Sequence, residues 1–210
     1  MLPLLLLLST EIFAKDMNEQ QFWEWFKKNE TVIFDFESNR EVVFERISEA
    51  LKSYKHGLAF EISKEIDGKR EFVISADGVI ELFPAVKVLK TASPDLERWS
   101  VTAFRPRLDD YSGLKLKFEG GSVDASKIWF EYQTDNSNFY LKLYHPSYTE
   151  EHQNVYINTS YILLDKALGE YDVTTGIKYI EHGKLPEDPK AIGLLPFVDL
   201  RSVFDRLKSG

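Results

Sequence analysis

The chain has 210 residues, of which 43% are hydrophobic and 14% aromatic, so it can bury the core of one large domain or two small ones and is not intrinsically disordered. Its formal net charge of −8 argues against a nucleic-acid-binding protein, because such proteins usually present a basic surface. It contains no cysteine, which excludes disulfides, cysteine nucleophiles and thiolate zinc sites.

The N-terminal sequence has two interpretations. An apolar run over 2–8 is followed by Ile12-Phe13-Ala14, which is typical of a signal peptide cleaved after Ala14 and predicts a periplasmic or secreted protein. No Lys or Arg precedes the run, and Met17 stands directly before the first helical pattern. Residues 1–16 are therefore alternatively an extension upstream of a start at Met17, which predicts a cytoplasmic protein. The run is too short for a transmembrane helix, which needs roughly 20 apolar residues.

The first half of the chain shows two helical patterns followed by strands. Residues 18–30 carry aromatic side chains at helical spacing, and Ser38 with Glu41 has the pattern of a capping box that begins a second helix. Period-two alternation, interrupted by one further helical segment, then predicts the order strand, strand, helix, strand. These segments lie at 58–63, 70–76, 81–92 and 97–107.

The second half repeats this order after a lead-in strand at 114–119. The four predicted elements are two strands, a helix and a strand, at 127–133, 139–145, 152–168 and 176–182. The long helix places Ile157, Tyr161, Leu164 and Leu168 on one apolar stripe. A surface loop and a short amphipathic helix complete the chain, over 184–196 and 198–210.

We therefore predict a single α+β domain over 17–210. Its mixed sheets come from two ββαβ-like halves, 58–107 and 127–182, with helices before the first half and a short helix at the C-terminal end. In each half the helix joins the second strand of a hairpin to a later strand. This arrangement favours a right-handed crossover and parallel pairing of the two strands that the helix connects.

Several short motifs occur in order along the chain. They are FWEWF (22–26), ISADG (74–78), LFP (82–84), WSVTAFRPR (99–107), LLDKALGEYDVTTGI (163–177) and LPEDP…GLLP (185–196). In these motifs the chain resembles a bacterial family of uncharacterised proteins over most of Met17–Leu207. The resemblance implies one domain. It implies neither an activity nor catalytic residues, because none is attached to that family.

The sequence contains no common nucleotide-binding, zinc-protease or serine-hydrolase motif. Ser75 and Asp77 could act as nucleophile and base, but a serine needs a histidine or lysine to take its proton, and none is near in sequence. Asp77-Gly78 is typical of a turn and a helix N-cap. Asp165, Glu170 and Asp172 surround the end of the long helix. We expect Glu170 and Asp172 to be solvated just past the helix end, and not to form an acid–base pair.

The histidines allow a metal only in a loose pattern. His145 and His152 flank Glu150 and Glu151, and imidazoles with carboxylates can bind zinc or iron. The spacing matches no established ligand pattern, and His145 shares its parity with the apolar residues of its strand. The sequence therefore favours a hydrogen-bonded histidine at a strand end, and we predict neither a metal nor a cofactor.

Arg105 and Arg107 are the strongest candidate ligand-binding residues. Pro106 holds the backbone between them extended, and two guanidinium groups so placed could bind a carboxylate or phosphate, with Asp77 or His145 nearby. The alternative is internal pairing with acidic side chains, for instance those of LDDY at 108–111. The sequence favours internal pairing, because it offers 34 acidic residues.

Trp23 is the other candidate. An exposed ring there would anchor a partner protein, since tryptophan is common at interface hot spots. A buried ring would pack at the edge of the core. From these residues the sequence favours a non-catalytic binding or protein-interaction module. The alternative is an anionic small-molecule-binding protein or hydrolase with its site around Arg105 and Arg107.

Overall fold

A computed structural model of the chain describes residues 16–118, 121–135 and 138–208. The predicted signal peptide, with its cleavage point after Ala14, lies outside these residues. The chain divides into one unit that ends at Phe104 and a second that begins at Arg105, and each is described by itself. The single domain stays a prediction. Among the described helices, none is long and apolar enough to cross a bilayer.

The first unit places two helices before a three-stranded sheet. Its elements are α1 (Glu19–Phe34), α2 (Arg40–Tyr54), β1 (Ala59–Ile62), β2 (Arg70–Ser75), α3 (Phe83–Thr91) and β3 (Trp99–Ala103). A capping box begins α1, because Asn18 and Gln21 each accept a hydrogen bond from the other's backbone N–H at 2.9 Å. Pro84 lies in the first turn of α3, where its missing N–H has no helical partner to lose.

The second unit is built on a four-stranded sheet. Its elements are β4 (Lys115–Phe118), β5 (Gly121–Asp124), β6 (Trp129–Asp135), β7 (Asn138–His145), α4 (Gln153–Leu168), α5 (Glu170–Gly176), β8 (Ile177–Lys184), β9 (Leu195–Pro196) and α6 (Leu200–Lys208). β4 and β5 pair with each other, and the other strands form a sheet in the order β8-β7-β6-β9.

Both units contain the predicted strand–strand–helix–strand arrangement. In the first, β1 pairs antiparallel with β2, and β2 pairs parallel with β3 across α3. In the second, β6 pairs antiparallel with β7, and β7 pairs parallel with β8 across α4 and α5. The α+β class, the mixed sheets and the two ββαβ-like halves are therefore confirmed, as are the N-terminal helices and the short C-terminal helix.

Aromatic rings form the core of the first unit. Phe22 and Phe26 of α1 are fully buried together with Phe72 of β2, and the rings of Phe26 and Phe72 meet edge to face at 5.1 Å. Trp99 of β3 packs against Phe26 at 5.3 Å. Burial of each phenylalanine contributes about 1.5–3 kcal/mol, so this stripe of α1 holds the helix to the sheet.

The core of the second unit lies on one face of its four-stranded sheet. Burial alternates along β7, where Phe139, Leu141 and Leu143 point inward. Leu163 of α4 and Phe204 of α6 belong to the same apolar cluster. Phe204 packs edge to face against Phe139 at 5.5 Å. One face of the sheet is therefore covered by the helices, and the intervening residues of β7 lie on the opposite face.

Two predicted element boundaries are wrong. The capping box at Ser38 and Glu41 does not form, because a 3₁₀ turn over Phe36–Asn39 precedes α2 and no side chain caps that helix at Asn39. The strand predicted over 97–107 ends at Ala103, because Phe104 has a φ of 66°. This left-handed conformation interrupts extended backbone.

The predicted stripe of the long helix is rotated from the buried one. Tyr161 is 48% exposed, whereas Tyr156, Ser160 and Leu163 are buried. Ser160 tolerates burial because its hydroxyl is hydrogen-bonded to His145. The sequence also missed α5, which occupies Glu170–Gly176 between α4 and the last long strand.

Gly176 ends α5 directly beside the ring of Phe204. A Cβ at position 176 would lie 2.5 Å from Cζ of Phe204, whereas a Cβ at Gly113 would meet no atom within 4 Å. We predict that Gly176→Ala lowers the free energy of unfolding by about 1–3 kcal/mol through overpacking, despite the higher helix propensity of alanine. Gly113→Ala should change it by less than about 0.5 kcal/mol. Urea denaturation followed by circular dichroism compares the two variants, and equal midpoints would contradict the prediction.

Candidate functional site

Arg107 closes the C-terminal end of α4. Its Nε donates to the carbonyl of Leu168 at 2.6 Å, and one terminal nitrogen donates to Asp172 at 2.6 Å. Both terminal nitrogens donate to Asp205 of α6 at 2.8 Å. Hydrogen bonding to Asp205, and then to Asp172, raises the pKa of Arg107, and Arg107 in turn lowers the pKa of Asp205. The protein itself thus uses most of the donors of this guanidinium.

Arg105 binds the segment that follows α4. Its backbone N–H donates to the Glu170 carboxylate at 3.0 Å, and its carbonyl accepts from the Glu170 N–H at 3.0 Å. Its guanidinium lies 3.4 Å from the carboxylate of Asp165. Burial raises the pKa of Asp165 to about 6, although the positive charge of Arg105 acts in the opposite direction. Burial therefore outweighs the ion pair at this carboxylate.

The acidic partners differ from those expected from the sequence. The prediction that Glu170 and Asp172 are solvated is wrong, because Glu170 is fully buried and the side chain of Asp172 is only 16% exposed. The side chain of Asp165 is likewise only 14% exposed. The suggested partner Asp110 instead accepts hydrogen bonds from Ser112. A ligand at Arg105 and Arg107 stays a prediction. It would have to displace carboxylates that the fold already places against both side chains.

His145 is buried at the end of β7. It is 1% exposed, its Nε2 lies 3.2 Å from the Ser160 hydroxyl, and its ring stacks on that of His182 at 5.7 Å. Burial, and the proximity of His182, lower the pKa of His145 to about 3. This agrees with the expected hydrogen-bonded strand-end histidine. His145 contacts different side chains from those that surround Arg105, and the ring of His152 contacts Thr149.

Asp77 and Trp23 belong to the first unit. Asp77 has a φ of 51° and lies in the tight turn after β2, where its N–H donates to the buried Ser75 hydroxyl. Trp23 is 2% exposed, and its Nε1–H donates to the carbonyl of Leu89 at 2.8 Å. Its ring is part of the core, whereas a partner anchor requires an exposed ring. The prediction of an interaction site at Trp23 therefore loses its basis.

Sequence reasoning missed two arginines of the first unit. Arg70 is 5% exposed and binds both oxygens of Glu37, while Arg98 binds both oxygens of Glu30. Both guanidiniums lie over the ring of Phe34, at 5.0 and 4.0 Å. Parity could have revealed Arg70, because it alternates in phase with the core residues of β2. The Arg98 pair is bidentate, whereas a single terminal nitrogen of Arg70 meets both oxygens of Glu37. Both pairs, with guanidiniums over an aromatic ring, have the character of structural contacts.

The outer face of the four-stranded sheet carries several aromatic side chains that remain in contact with solvent. The register of β6, β7 and β8 places three rows of side chains on this outer face. These rows are Gln133-Tyr140-Tyr179, Glu131-Lys142-Glu181 and Trp129-Tyr144-Gly183. Tyr179 is 58% exposed, and the other three rings are partly exposed. Alternation in the sequence indicates this surface, since the three tyrosines alternate with the inward-facing residues of their strands.

A groove of about 260 Å³ lies over the first two rows. Lys142 is central, 3.6 Å from the Glu181 carboxylate and 5.3 Å from the centre of the Tyr144 ring. Glu131 accepts a hydrogen bond from the Tyr144 hydroxyl at 2.6 Å. Partial burial, and then this contact with Glu131, raise the pKa of Tyr144. The face thus combines aromatic rings with carboxylates that remain in contact with solvent.

Comparison with known proteins adds no identification. The chain matches no family model, no curated protein and no solved structure. The family resemblance described above stays a prediction, and the functional argument rests on the side chains alone.

The pairing of Arg107 predicts its effect on stability. Arg107→Met removes the hydrogen bonds that Asp172, Asp205 and the Leu168 carbonyl accept from this guanidinium, while Asp172 keeps its contact with Lys208 and Asp205 is partly solvated. The free energy of unfolding should therefore fall by about 1.5–3 kcal/mol. Lys115→Met is a matched control, because Lys115 makes a single pair with Asp124 and is 67% exposed. It should cost less than about 1 kcal/mol. Urea denaturation measures both, and a loss below about 1 kcal/mol for Arg107→Met would contradict a structural role for this residue.

His145 and Asp165 predict opposite effects of pH on stability. The ordinary histidine pKa is 6.5, and that of His145 in the folded protein is about 3. The folded state therefore binds the proton less readily than the unfolded state, so the free energy of unfolding falls as the pH falls from 6.5 to about 3, by up to about 1.4 kcal/mol per pH unit. The pKa of Asp165 is raised from 3.8 to about 6, so its protonation on acidification adds stability over that range.

Comparison with single variants separates the contributions of His145 and Asp165 to the pH dependence of stability. The free energy of unfolding of the natural protein, minus that of His145→Gln, should decrease on acidification from pH 6.5. The same difference against Asp165→Asn should increase between pH 6 and 4. Urea titrations at several pH values measure both differences. Either difference changing with the opposite sign would contradict the buried state assigned to that group.

Proposed function

We propose that the protein is a non-catalytic interaction module that binds a partner protein on the outer face of its four-stranded sheet. The observation that carries this proposal is the set of four aromatic side chains on that face, at Trp129, Tyr140, Tyr144 and Tyr179. Tyrosine and tryptophan dominate binding energy at protein interfaces, because they offer large contact areas with few rotatable bonds.

The arginine cluster supports this choice by comparison. Arg107 already binds Asp172 and Asp205, so an anion there would compete with charges that are covalently part of the protein. On the outer face of the four-stranded sheet, which we call the aromatic face, a ligand would not have to displace tightly bound carboxylates. Among the side chains described on this face, the one ion pair joins Lys142 and Glu181. It is long and substantially exposed. A partner can therefore rearrange it at a cost of less than about 1 kcal/mol.

Site-specific photo-crosslinking tests the proposal. A photoreactive phenylalanine derivative replaces Tyr179 in one variant and Tyr161 in a matched control, since Tyr161 is 48% exposed but lies on α4. We expect a discrete covalent adduct with one protein when the Tyr179 variant is irradiated in cells of the source organism. The control should give none. Equal adducts from both positions, or none from position 179, would overturn the proposal.

A second variant shows whether the face contributes affinity. Tyr140→Ala, introduced beside the photoreactive group at position 179, should reduce the yield of the adduct by about tenfold or more, because loss of a hot-spot ring costs about 2 kcal/mol. Tyr171→Ala on α5, also exposed in the natural protein, serves as control and should leave the yield unchanged. Thermal unfolding of each variant confirms that the sheet has folded.

A further inference from the structure

Resting on that function, we infer that the partner binds through a short cationic segment whose arginine side chains enter the groove over β6, β7 and β8. The size of the surface is the first argument. β7 has 8 residues, so the three-stranded face measures about 27 Å by 14 Å, or roughly 400 Å². Protein interfaces of standard size bury about 800 Å² on each partner. The face therefore suits a segment of chain better than a broad globular surface.

The volume of the groove agrees with this size. At about 260 Å³ it lies just below the usual range of small-molecule pockets, roughly 300–1,000 Å³. The groove is open along the sheet. Tyr140 and Tyr179 line it together with the row Glu131-Lys142-Glu181. Such a shape admits one or two long side chains of an extended segment while its backbone stays above the sheet.

The charges of the face select a cation. Glu131, Asp135 and Glu181 all face outward with the rings, and Lys142 is the one basic residue in the three rows defined above. Carboxylates bind guanidinium groups with paired hydrogen bonds, and tyrosine faces attract the same group through cation–π contact. The chain already uses this combination internally, where Arg98 stacks on Phe34 and binds Glu30. Arginine fits both features better than lysine does.

The overall charge of the chain favours the same kind of partner. The net charge of −8 attracts a basic segment at long range and speeds its association at low salt. It disfavours a second copy of this chain, because two acidic faces would have to meet. An acidic peptide would be repelled for the same reason.

Fluorescence anisotropy with three labelled peptides tests the inference. The peptides have the same length and the same glycine–serine spacers, and they carry arginine, lysine or glutamate at alternating positions. We expect the arginine peptide to bind most tightly, the lysine peptide more weakly and the glutamate peptide not at all. Raising the salt to about 0.3 M should weaken binding of the arginine peptide several-fold. Equal binding of the arginine and glutamate peptides would overturn the inference.

A charge-matched pair of variants locates the binding. Glu131→Gln with Glu181→Gln should weaken the arginine peptide roughly three- to tenfold, and the amide at 131 retains an acceptor for Tyr144. Glu45→Gln with Glu49→Gln removes the same charge from exposed positions of α2 and should change affinity by less than about twofold. An equal effect of the two pairs would mean that the peptide senses only net charge, which overturns the assigned groove.

The photo-crosslinked adduct separates failure of this inference from failure of the proposed function. If the adduct at position 179 forms but does not depend on Glu131 and Glu181, the interaction surface stands and the cationic segment is rejected. If no adduct forms at position 179, both are rejected. An adduct that contains a glycan and no polypeptide would likewise reject the protein partner in favour of a carbohydrate.

Discussion

The buried end of α4 is the constraint on which the second unit depends. A helix leaves its last carbonyls without intrahelical donors, and buried carbonyls must find donors elsewhere. Here Arg107 donates to Leu168, Arg201 donates to Ala167, and the backbone N–H of Leu108 donates to Lys166. The two arginines come from the first and last segments of the unit, so the end of one helix ties both together.

The two ββαβ halves show that one connectivity can produce different surfaces. In the first unit, the central strand β2 is buried at nearly every position, including Val73 and Ser75 on its outward parity. In the second, β7 alternates, with apolar residues inside and Tyr140, Lys142 and Tyr144 on the other face. Alternation of this kind leaves one sheet face in contact with solvent. The difference lies in the side chains and not in the topology.

Local pattern accounts for what could be predicted from the sequence. Alternation located β1, β2, β6 and β7, and the helix after each hairpin implied the parallel third strand. Alternation also predicts that the tyrosines of β7 and β8 face away from the core. Only the register shows that Tyr140 lies beside Tyr179. The class of fold and the positions of most strands can therefore be predicted from the sequence.

Long-range pairing and backbone conformation account for what could not be predicted. Arg107 binds Asp205, 98 positions away, and no local pattern selects that carboxylate among 34 acidic residues. The left-handed φ of Phe104 ends a strand that alternation would continue. α5 was missed because EYDVTTG is too short to show helical periodicity.

Exposure decides which of the charged clusters can bind another molecule. The carboxylates that hold Arg107 are joined to it by short hydrogen bonds, the side chain of Asp172 is only 16% exposed, and losing hydrogen bonds to charged groups costs about 1.5–3 kcal/mol. Lys142 and Glu181 are 36% and 53% exposed and 3.6 Å apart, so their separation costs less than about 1 kcal/mol. An incoming guanidinium can replace Lys142 beside Glu181 and gain the contact with the tyrosine rings. The same exchange at Arg107 would lose more than it gains, which is why we place the proposed binding surface on the outer face of the four-stranded sheet.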